Sequence, residues 1–554
     1  MDGLEREPGD RGRAEEREAG LPAWFTETPY WAVSTLVHLL ILFALSTVAI
    51  LKIEEEETDR RTVIRREFTP PLPEKRHPRD LEERPQINLE EQMEPVVPTR
   101  VEVAIKPKGT DERHHSDRRT ANDAFVDPIG LAGGGTQARG DLRGKGSPRE
   151  GGSRATEDAV LAALRWLKRH QHADGRWSSS GFLELCRDSD RPCVHSDPEH
   201  APGDGRGFEG HDVGVTALAM LAFLGSGHTH RDGVHSEFRE VMRRAMRWMK
   251  QQQLLGEDPQ RDGLYGAPGG EGLDEWVYNH AIATMAMAEL LFLSRDVMNL
   301  RASVEAATEW CLRAQNEGYG WKYGYRTGRN DSSVTGWMVL ALKTAKSCSE
   351  GRLLGIDRKR YGRHLGWALA WFDAATSGAS GRTGYENPGD EGSRLQGFYP
   401  EPYPYSKDLS CMTAVALLCR LFAGERRSSK AVKRAAEILM EELPAWRPAR
   451  RRHRSRINLY YWYYGSHAMF QFGGKRWRTW NVAMQEALLP TQRSGGCEDG
   501  SWDPIGEWGA AGGRVYSTAI GAMTLEVYYR FRRQQGIPAA SRQKLKNEMW
   551  RTKL

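Results

Sequence analysis

Cysteine is scarce: seven residues spread over 554, an odd number with no repeated Cys-x-x-Cys. That excludes a disulfide framework and a zinc-ribbon scaffold. A basic surplus is missing as well. The 79 Lys and Arg face 74 Asp and Glu, a formal net charge of +5, too little for a dedicated nucleic-acid binder. No Gly-x-Ser-x-Gly elbow, no Gly-x4-Gly-Lys-Ser/Thr loop and no Gly-Cys-Gly-Glu-Gln thioester occurs, so the nucleophile-elbow, P-loop and internal-thioester routes are excluded. Strand-like alternation long enough to compete with the helical pattern is absent too. Glycine and tryptophan, by contrast, are plentiful, with 58 and 18 copies, and the tryptophan excess needs a structural reason.

Uncharged apolar sequence is concentrated in one early run. Residues 1–29 form a polar tail, and then Tyr30 to Leu51 contain no charged side chain. At about 1.5 Å per residue this run covers roughly the 30 Å hydrocarbon core of a bilayer. Tyr30 and Trp31 fit an interfacial aromatic belt. The run is longer than a signal-peptide core and no A-x-A site follows it, so a retained single-pass transmembrane helix over 30–52 is expected. Residues 53–153 carry prolines, alternating charges and a glycine-rich end without a sustained apolar period. They read as a disordered linker, since no core offsets the ordering entropy. Residues 535–554 read as a basic tail.

From residue 154 the chain repeats itself. One unit is an amphipathic helix ending in Trp, a hydrophobic residue, three residues and Gln, followed by a Gly-x-aromatic turn. Its copies are Trp166 with Gln171 and Trp177, Trp248 with Gln253 and Tyr265, Trp310 with Gln315 and Trp321, and Leu488 with Gln492 and Trp502. Weaker copies without the glutamine lie at Trp371 with Gly384-Tyr385 and around Ala436–Leu443. Between them lie six helices that are more apolar on all sides: Asp212–Leu224, Asn279–Leu291, Asp331–Lys343, Asp408–Leu421, Tyr461–Phe472 and Arg514–Tyr528. A helix apolar all round is buried, and one with a stripe faces water on its far side. Six alternations predict an all-α fold: an α/α toroid of about six helical hairpins over 154–534, buried helices inside and amphipathic ones outside.

The Trp-Leu-x3-Gln-x3-Gly-x-Trp element resembles the QW motif of squalene–hopene and oxidosqualene cyclases. The alternation is similar to that of the wider squalene cyclase/prenyltransferase repeat superfamily. The glutamine is expected to bridge a helix end, where backbone groups are unpaired, to the next turn. The tryptophan is expected to fill the wedge between hairpins, a structural role that needs no catalysis. The span also resembles the anchor of TonB-type transducers, through Ser34 and His38 and the acidic, Pro-rich arm that follows. That likeness implies inner-membrane motor proteins as partners, a cytoplasmic N-terminus and an extracytoplasmic body.

The resemblance implies chemistry only where the motifs match. Cyclases protonate an alkene with an Asp of a DxDD sequence, and none occurs here; Asp188-Ser189-Asp190 falls in a loop. Asp331 and Asp408, at inner-helix starts, are the remaining candidate proton donors. Prenyltransferases hold Zn²⁺ with Asp-x-Cys and a His on the next inner helix. Asp408, Cys411 and His467 have the residue types without the spacing, so no cofactor is expected and Zn²⁺ is a weak candidate. Cys186, Cys193, His195 and His200 form a second set with ligand types, off any standard spacing; a disulfide between Cys186 and Cys193 or a solvated loop are its other readings. Cavity-directed polar and aromatic residues at inner-helix starts are expected to bind ligand: Asp212, Tyr278, His280, Trp337, Tyr403, Trp462, His467 and Tyr516, with Trp276, Tyr405, Tyr460 and Tyr463 beside them. The basic runs Arg447–Arg456 and Arg530–Arg533 read as solvated loop and tail, with contact to anionic lipid headgroups or acidic glycan as the alternative. The leading expectation is a membrane-anchored toroid that binds a hydrophobic or isoprenoid ligand, or a partner, without classical cyclase chemistry. The alternatives are a terpenoid cyclase or prenyltransferase-like enzyme and a TonB-like transducer.

Overall fold

The computed structural model describes residues 151–186, 192–193, 205–233, 235–266, 276–390, 410–447, 456–506 and 508–530. The expected anchor, the expected linker up to residue 150 and the C-terminal tail lie outside these residues. Among the described residues no helix is long and apolar enough to cross a membrane.

Thirteen α-helices carry the described chain, with only isolated β-bridges between them. They are α1 (Arg154–Arg169), α2 (Asp212–Gly225), α3 (Glu237–Gln251), α4 (Trp276–Ser294), α5 (Val297–Ala314), α6 (Ser332–Glu350) and α7 (Arg358–Ala374). The series continues with α8 (Cys411–Phe422), α9 (Lys430–Glu441), α10 (Leu459–Phe472), α11 (Gly474–Leu488), α12 (Gly509–Leu525) and the short α13 (Val527–Arg530). The all-helical expectation therefore holds.

The two helix classes differ in burial as their sequences require. Every residue of α2 from Val213 to Gly225 is buried. Its neighbour α3 buries only Phe238, Val241, Met242, Ala245, Met246, Trp248 and Met249, the single face that a 3.6-residue period allows. The even-numbered helices touch in a cycle: α2 meets α4, α4 meets α6, then α8, α10 and α12 follow, and α12 packs on α2. Small residues permit the close approaches. A Cβ at Gly336 would lie 2.3 Å from Val415 of α8, and one at Gly465 would lie 2.5 Å from the Trp480 ring. The expected start at Arg514 holds within α12: Gly513 takes a left-handed φ of +65° and breaks the helix just before it.

The glutamines hold successive hairpins together by one repeated device. Gln171 Nε2 donates to Gly175 O in its own turn (2.9 Å) and to Val241 O on α3 (2.9 Å). Gln253 donates to Gly263 O and to Ser303 O on α5; Gln315 donates to Tyr319 O and to His364 O on α7. Gln492 repeats this with Gly500 O (2.9 Å) and Ala159 O on α1 (2.8 Å), linking the last hairpin to the first. The expected bridge from helix end to turn is present, and a second bond to the next outer helix comes with it. The turn tryptophans add a third tie: Trp177, Trp321 and Trp502 donate Nε1–H to Leu167 O, Cys311 O and Leu488 O. Trp166 stacks on His170, rings 4.1 Å apart. Gly175 has φ +106° and no room for a Cβ, which would sit 2.4 Å from Arg244 O; only glycine tolerates both conditions.

The fourth hairpin corrects one weak copy. The backbone N–H groups of Trp177, Trp321 and Trp502 are received by Thr216, Thr335 and Thr518 of the inner helices. The equivalent bond to Thr413 comes from Thr383, not from Tyr385. Replacing Gln492 with Ala should cost about 1–3 kcal/mol, because two buried carbonyls lose their donor. Urea unfolding of Gln492→Ala checks this, and a change under about half a kcal/mol would remove the glutamine from the ring's closure.

Candidate functional site

The first two turns of five inner helices leave a space between them. His211, Gly214, Val215 and Leu218 come from α2 and its cap, Tyr278, Asn279 and Ile282 from α4, and Ser333 and Trp337 from α6. Tyr460 of α10 and Trp508, Ala511, Gly512 and Tyr516 at α12 complete the wall. The cleft encloses about 110 Å³ and has almost wholly apolar walls. Aromatic rings are packed behind and across it. Trp337 stacks on Tyr463 at 5.7 Å and meets Tyr464 edge-on at 5.5 Å; Tyr460 lies 4.9 Å from Tyr464. Ser333 Oγ and Tyr460 Oη satisfy one another at 2.9 Å.

A buried carboxyl adjoins this wall, two residues before Ser333. Asp331, fully buried, caps α6 by accepting the Val334 N–H through Oδ1 at 2.7 Å, while its Oδ2 has no hydrogen-bond partner. Burial pushes its pKa up to about 7, against the pull of the Val334 N–H and the Lys322 ammonium. The hydroxyls of Tyr278, Tyr385 and Tyr460 all feel its charge, and Tyr385 is bonded to Tyr323. Asp331 itself is not among the residues that line the cleft.

Two to four turns further along the chain from the cleft-lining residues of α4 and α12 lies a buried ion cluster. Arg530 Nη2 reaches Glu289 at 2.8 Å and Nη1 reaches Glu526 at 3.1 Å, with all three side chains fully buried. Arg530 also donates to Leu221 O, and Ser226 donates to Glu526. The solvated-tail reading of Arg530 is therefore corrected: the guanidinium is fully buried and ties α13 to α2 and α4.

The other expected ligand-binding residues divide. Tyr278, Trp337 and Tyr516 line the cleft. Asp212 instead accepts the Ser179 N–H at 3.0 Å and pairs with Arg176, tying a turn to α2. His280 occupies the register of Thr216 and Thr335: Nδ1 accepts the Tyr265 N–H at 3.0 Å, and Nε2 faces Cys311 Sγ at 3.4 Å. Burial lowers its pKa to about 3, so it is neutral. Trp462 packs against Trp446. His467 lies edge-on to Tyr463, its pKa lowered by burial and by Arg530. Asp408, Tyr403 and Tyr405 fall outside the described residues.

A second cluster joins residues that sequence reasoning kept apart. Cys186 and Cys193 are buried, not solvated, and remain free thiols. His195 and His200 lie outside the described residues. The partners that the structure supplies are His170 and Cys497. His170 Nε2 is 3.4 Å from Cys186 Sγ, 3.4 Å from Cys193 Sγ and 3.3 Å from Cys497 Sγ. Cys186 and Cys497 Sγ atoms are 3.3 Å apart, and the four ligand atoms lie within 4.8 Å of one another. The thiol of Cys193 holds Cys186 well below the usual thiol range, and Cys193 is raised by the same bond. Among the described residues this is the group with metal-ligand composition; Cys411 and His467 belong to no such group.

No protein-family model matches the chain, and no curated protein sequence does either. Solved structures similar in helical fold include the apo type II terpene cyclase MstE from Scytonema, at 12% identity and a TM-score of 0.39, covering 67% of this chain and 97% of that one. A variant of MstE in complex with its substrate, geranylgeranyl dihydroxybenzoate, matches at 11% identity and 0.38, over 68% and 97%. A protein from Actinoplanes matches at 13% identity and 0.34, over 67% and 99%.

Proposed function

We propose that the cycle of hairpins is an α/α toroid of the squalene cyclase/prenyltransferase repeat type and that its central cleft binds an apolar ligand of isoprenoid character. The carrying observation is the composition of the cleft: five inner helices contribute aliphatic and aromatic walls, with few polar groups to fix orientation. Such a space favours a flexible hydrocarbon, whose burial contributes about 25 cal/mol per Å². The apolar run at 30–52 would tether this body to a membrane, where ligands of that kind partition, with the body on the extracytoplasmic side. A motor-coupled role through Ser34 and His38 rests on that short segment alone.

The test is a titration of the purified full-length protein with a fluorescent polyprenyl probe, comparing wild type with Leu218→Trp. Leu218 lines the cleft, and the larger side chain fills it. Saturable binding that weakens about tenfold or more in the variant is expected, the loss of roughly two methylene-equivalents of burial. Equal binding by both proteins would contradict a ligand in the cleft.

One observation favours a second reading, proton donation to an alkene. Asp331 keeps an unpartnered Oδ2 and titrates near neutrality beside Tyr278 and Tyr460. A buried carboxylic acid that stays protonated is a general acid in waiting, and facing aromatic rings stabilise cations. Its place outside the cleft lining makes binding the leading reading. Conversion of a polyprenyl substrate by wild type, lost in Asp331→Asn with probe binding intact, would reverse that order.

A further inference from the structure

The first and last hairpins meet at a seam that carries more than hydrogen bonds. Gln492 reaches Ala159 O across it, and Arg169 Nη2 donates to Asp499 O at 2.7 Å. At the same seam stand His170, the C-cap residue of α1, Cys186 at the end of the 3-10 segment Phe182–Cys186, and Cys193 further along the same connection. Cys497 enters from the connection between α11 and α12, 327 residues from His170. A chance meeting of four soft or borderline ligands, three of them buried, is a poor explanation for atoms that all converge on one point.

Three details make the point a coordination centre. The imidazole is oriented from behind: Nδ1 faces Trp166 O at 3.0 Å, so it carries the proton, and Nε2 presents its lone pair to the three sulfurs. Stacking on Trp166 and edge contact with Phe182 fix the ring plane. The separations suit a tetrahedron. With Zn–S of about 2.3 Å and Zn–N of about 2.0 Å, the edges are about 3.8 Å for S···S and about 3.5 Å for N···S, against 3.3–3.4 Å for the contacts here.

We propose that His170, Cys186, Cys193 and Cys497 bind one Zn²⁺ in a closed structural site that locks the first hairpin to the last. Three thiolates and an imidazole select Zn²⁺ over hard cations, and four protein ligands leave no position for a substrate or water. The site is remote in role from the cleft: it holds the ring shut so that the five inner helices keep their spacing. It stands independently of what the cleft binds.

The experiment is metal analysis of the detergent-extracted full-length protein, purified without chelators, with cobalt exchange as a second readout. One zinc per chain should survive gel filtration. The Co²⁺ form should show the visible bands and sulfur-to-metal charge transfer of a tetrahedral thiolate site. Cys497→Ser should lower metal affinity by roughly tenfold or more and reduce the thermal midpoint. Cys497→His, which keeps a ligand and guards against simple misfolding, should retain the ion with shifted cobalt bands. Cys348→Ser, altering a buried thiol outside the cluster, should retain it unchanged. A metal-free protein, a disulfide between Cys186 and Cys497 or Cys193 in mass mapping, or zinc content indifferent to Cys497 would each overturn the proposal.

Discussion

Arg530→Met is expected to destabilise the protein by about 3–5 kcal/mol, the cost of leaving buried carboxylates without their counter-ion. Arg530 is the shared partner of Glu289 and Glu526, and none of the three is exposed. Glu289 belongs to α4, Glu526 caps α12, and Arg530 also bonds Leu221 O of α2, so the loss is felt across several helices and not at one hairpin. The sign of the pH dependence follows. In the variant the two carboxyls stay buried without the guanidinium, although Ser226 still donates to Glu526, and burial of a carboxyl without its cation favours the protonated form. Such groups leave stability highest below the unfolded pKa and subtract from it as pH rises through the folded values. The deficit of Arg530→Met should therefore be small at about pH 4 and full at about pH 8. Replacing Glu289, Glu526 and Arg530 together by Met or Leu should recover most of it, since an apolar trio of similar volume carries no orphaned charge. Urea denaturation across pH measures both effects, and a pH-independent deficit would place Arg530's contribution in packing alone.

Asp331→Asn should do the opposite and stabilise the fold above neutrality. Burial raises the folded pKa from 3.8 to about 7. Between those values the native state holds a proton that the unfolded chain has released. Stability attributable to this group is thus complete below about pH 4 and falls as pH rises toward 7. Ionising a carboxyl held that far above its ordinary range costs on the order of 4 kcal/mol at most. Asparagine keeps the cap, because its Oδ1 accepts the Val334 N–H as the aspartate does. The variant should gain on the order of 2–4 kcal/mol at about pH 8 and nothing at about pH 4. A buried acid that costs stability at working pH is the arrangement expected of a group kept for a proton. If Asp331→Asn were neutral at both pH values, the carboxyl would be a plain helix cap and the proton-donor reading would lose its support.

The hairpin architecture was legible because its signals are local. Periodicity separates α2 from α3 within a few turns of chain, and each glutamine sits four or five residues after the tryptophan or leucine that marks its helix end. His280 was less legible. The sequence pattern starts its helix at Asn279, whereas α4 begins at Trp276. Setting the repeats side by side would have shown His280 in the place of Thr216, Thr335 and Thr518, which receive a turn's N–H. Arg530 and Cys497 escaped for a different reason. Arg530 reaches Glu289 and Leu221, and Cys497 reaches His170 and Cys186, across more than two hundred residues, and no spacing rule reports a contact of that range. Cys186 and Cys193 were visible as a pair with suitable chemistry, but their other ligands came from a helix end and from the last connection. His170 was hidden inside the Trp166–Gln171 element, where its neighbours explain themselves structurally.

The most direct test of the central claim is native mass spectrometry of the full-length protein extracted in mild detergent, run beside Leu218→Trp. The wild-type chain should carry a non-covalent apolar molecule that organic solvent releases, and the variant with its cleft filled should carry far less. A wild-type mass equal to the polypeptide with its metal alone, unchanged after incubation with polyprenyl lipids, would contradict the assignment of the cleft as a binding site.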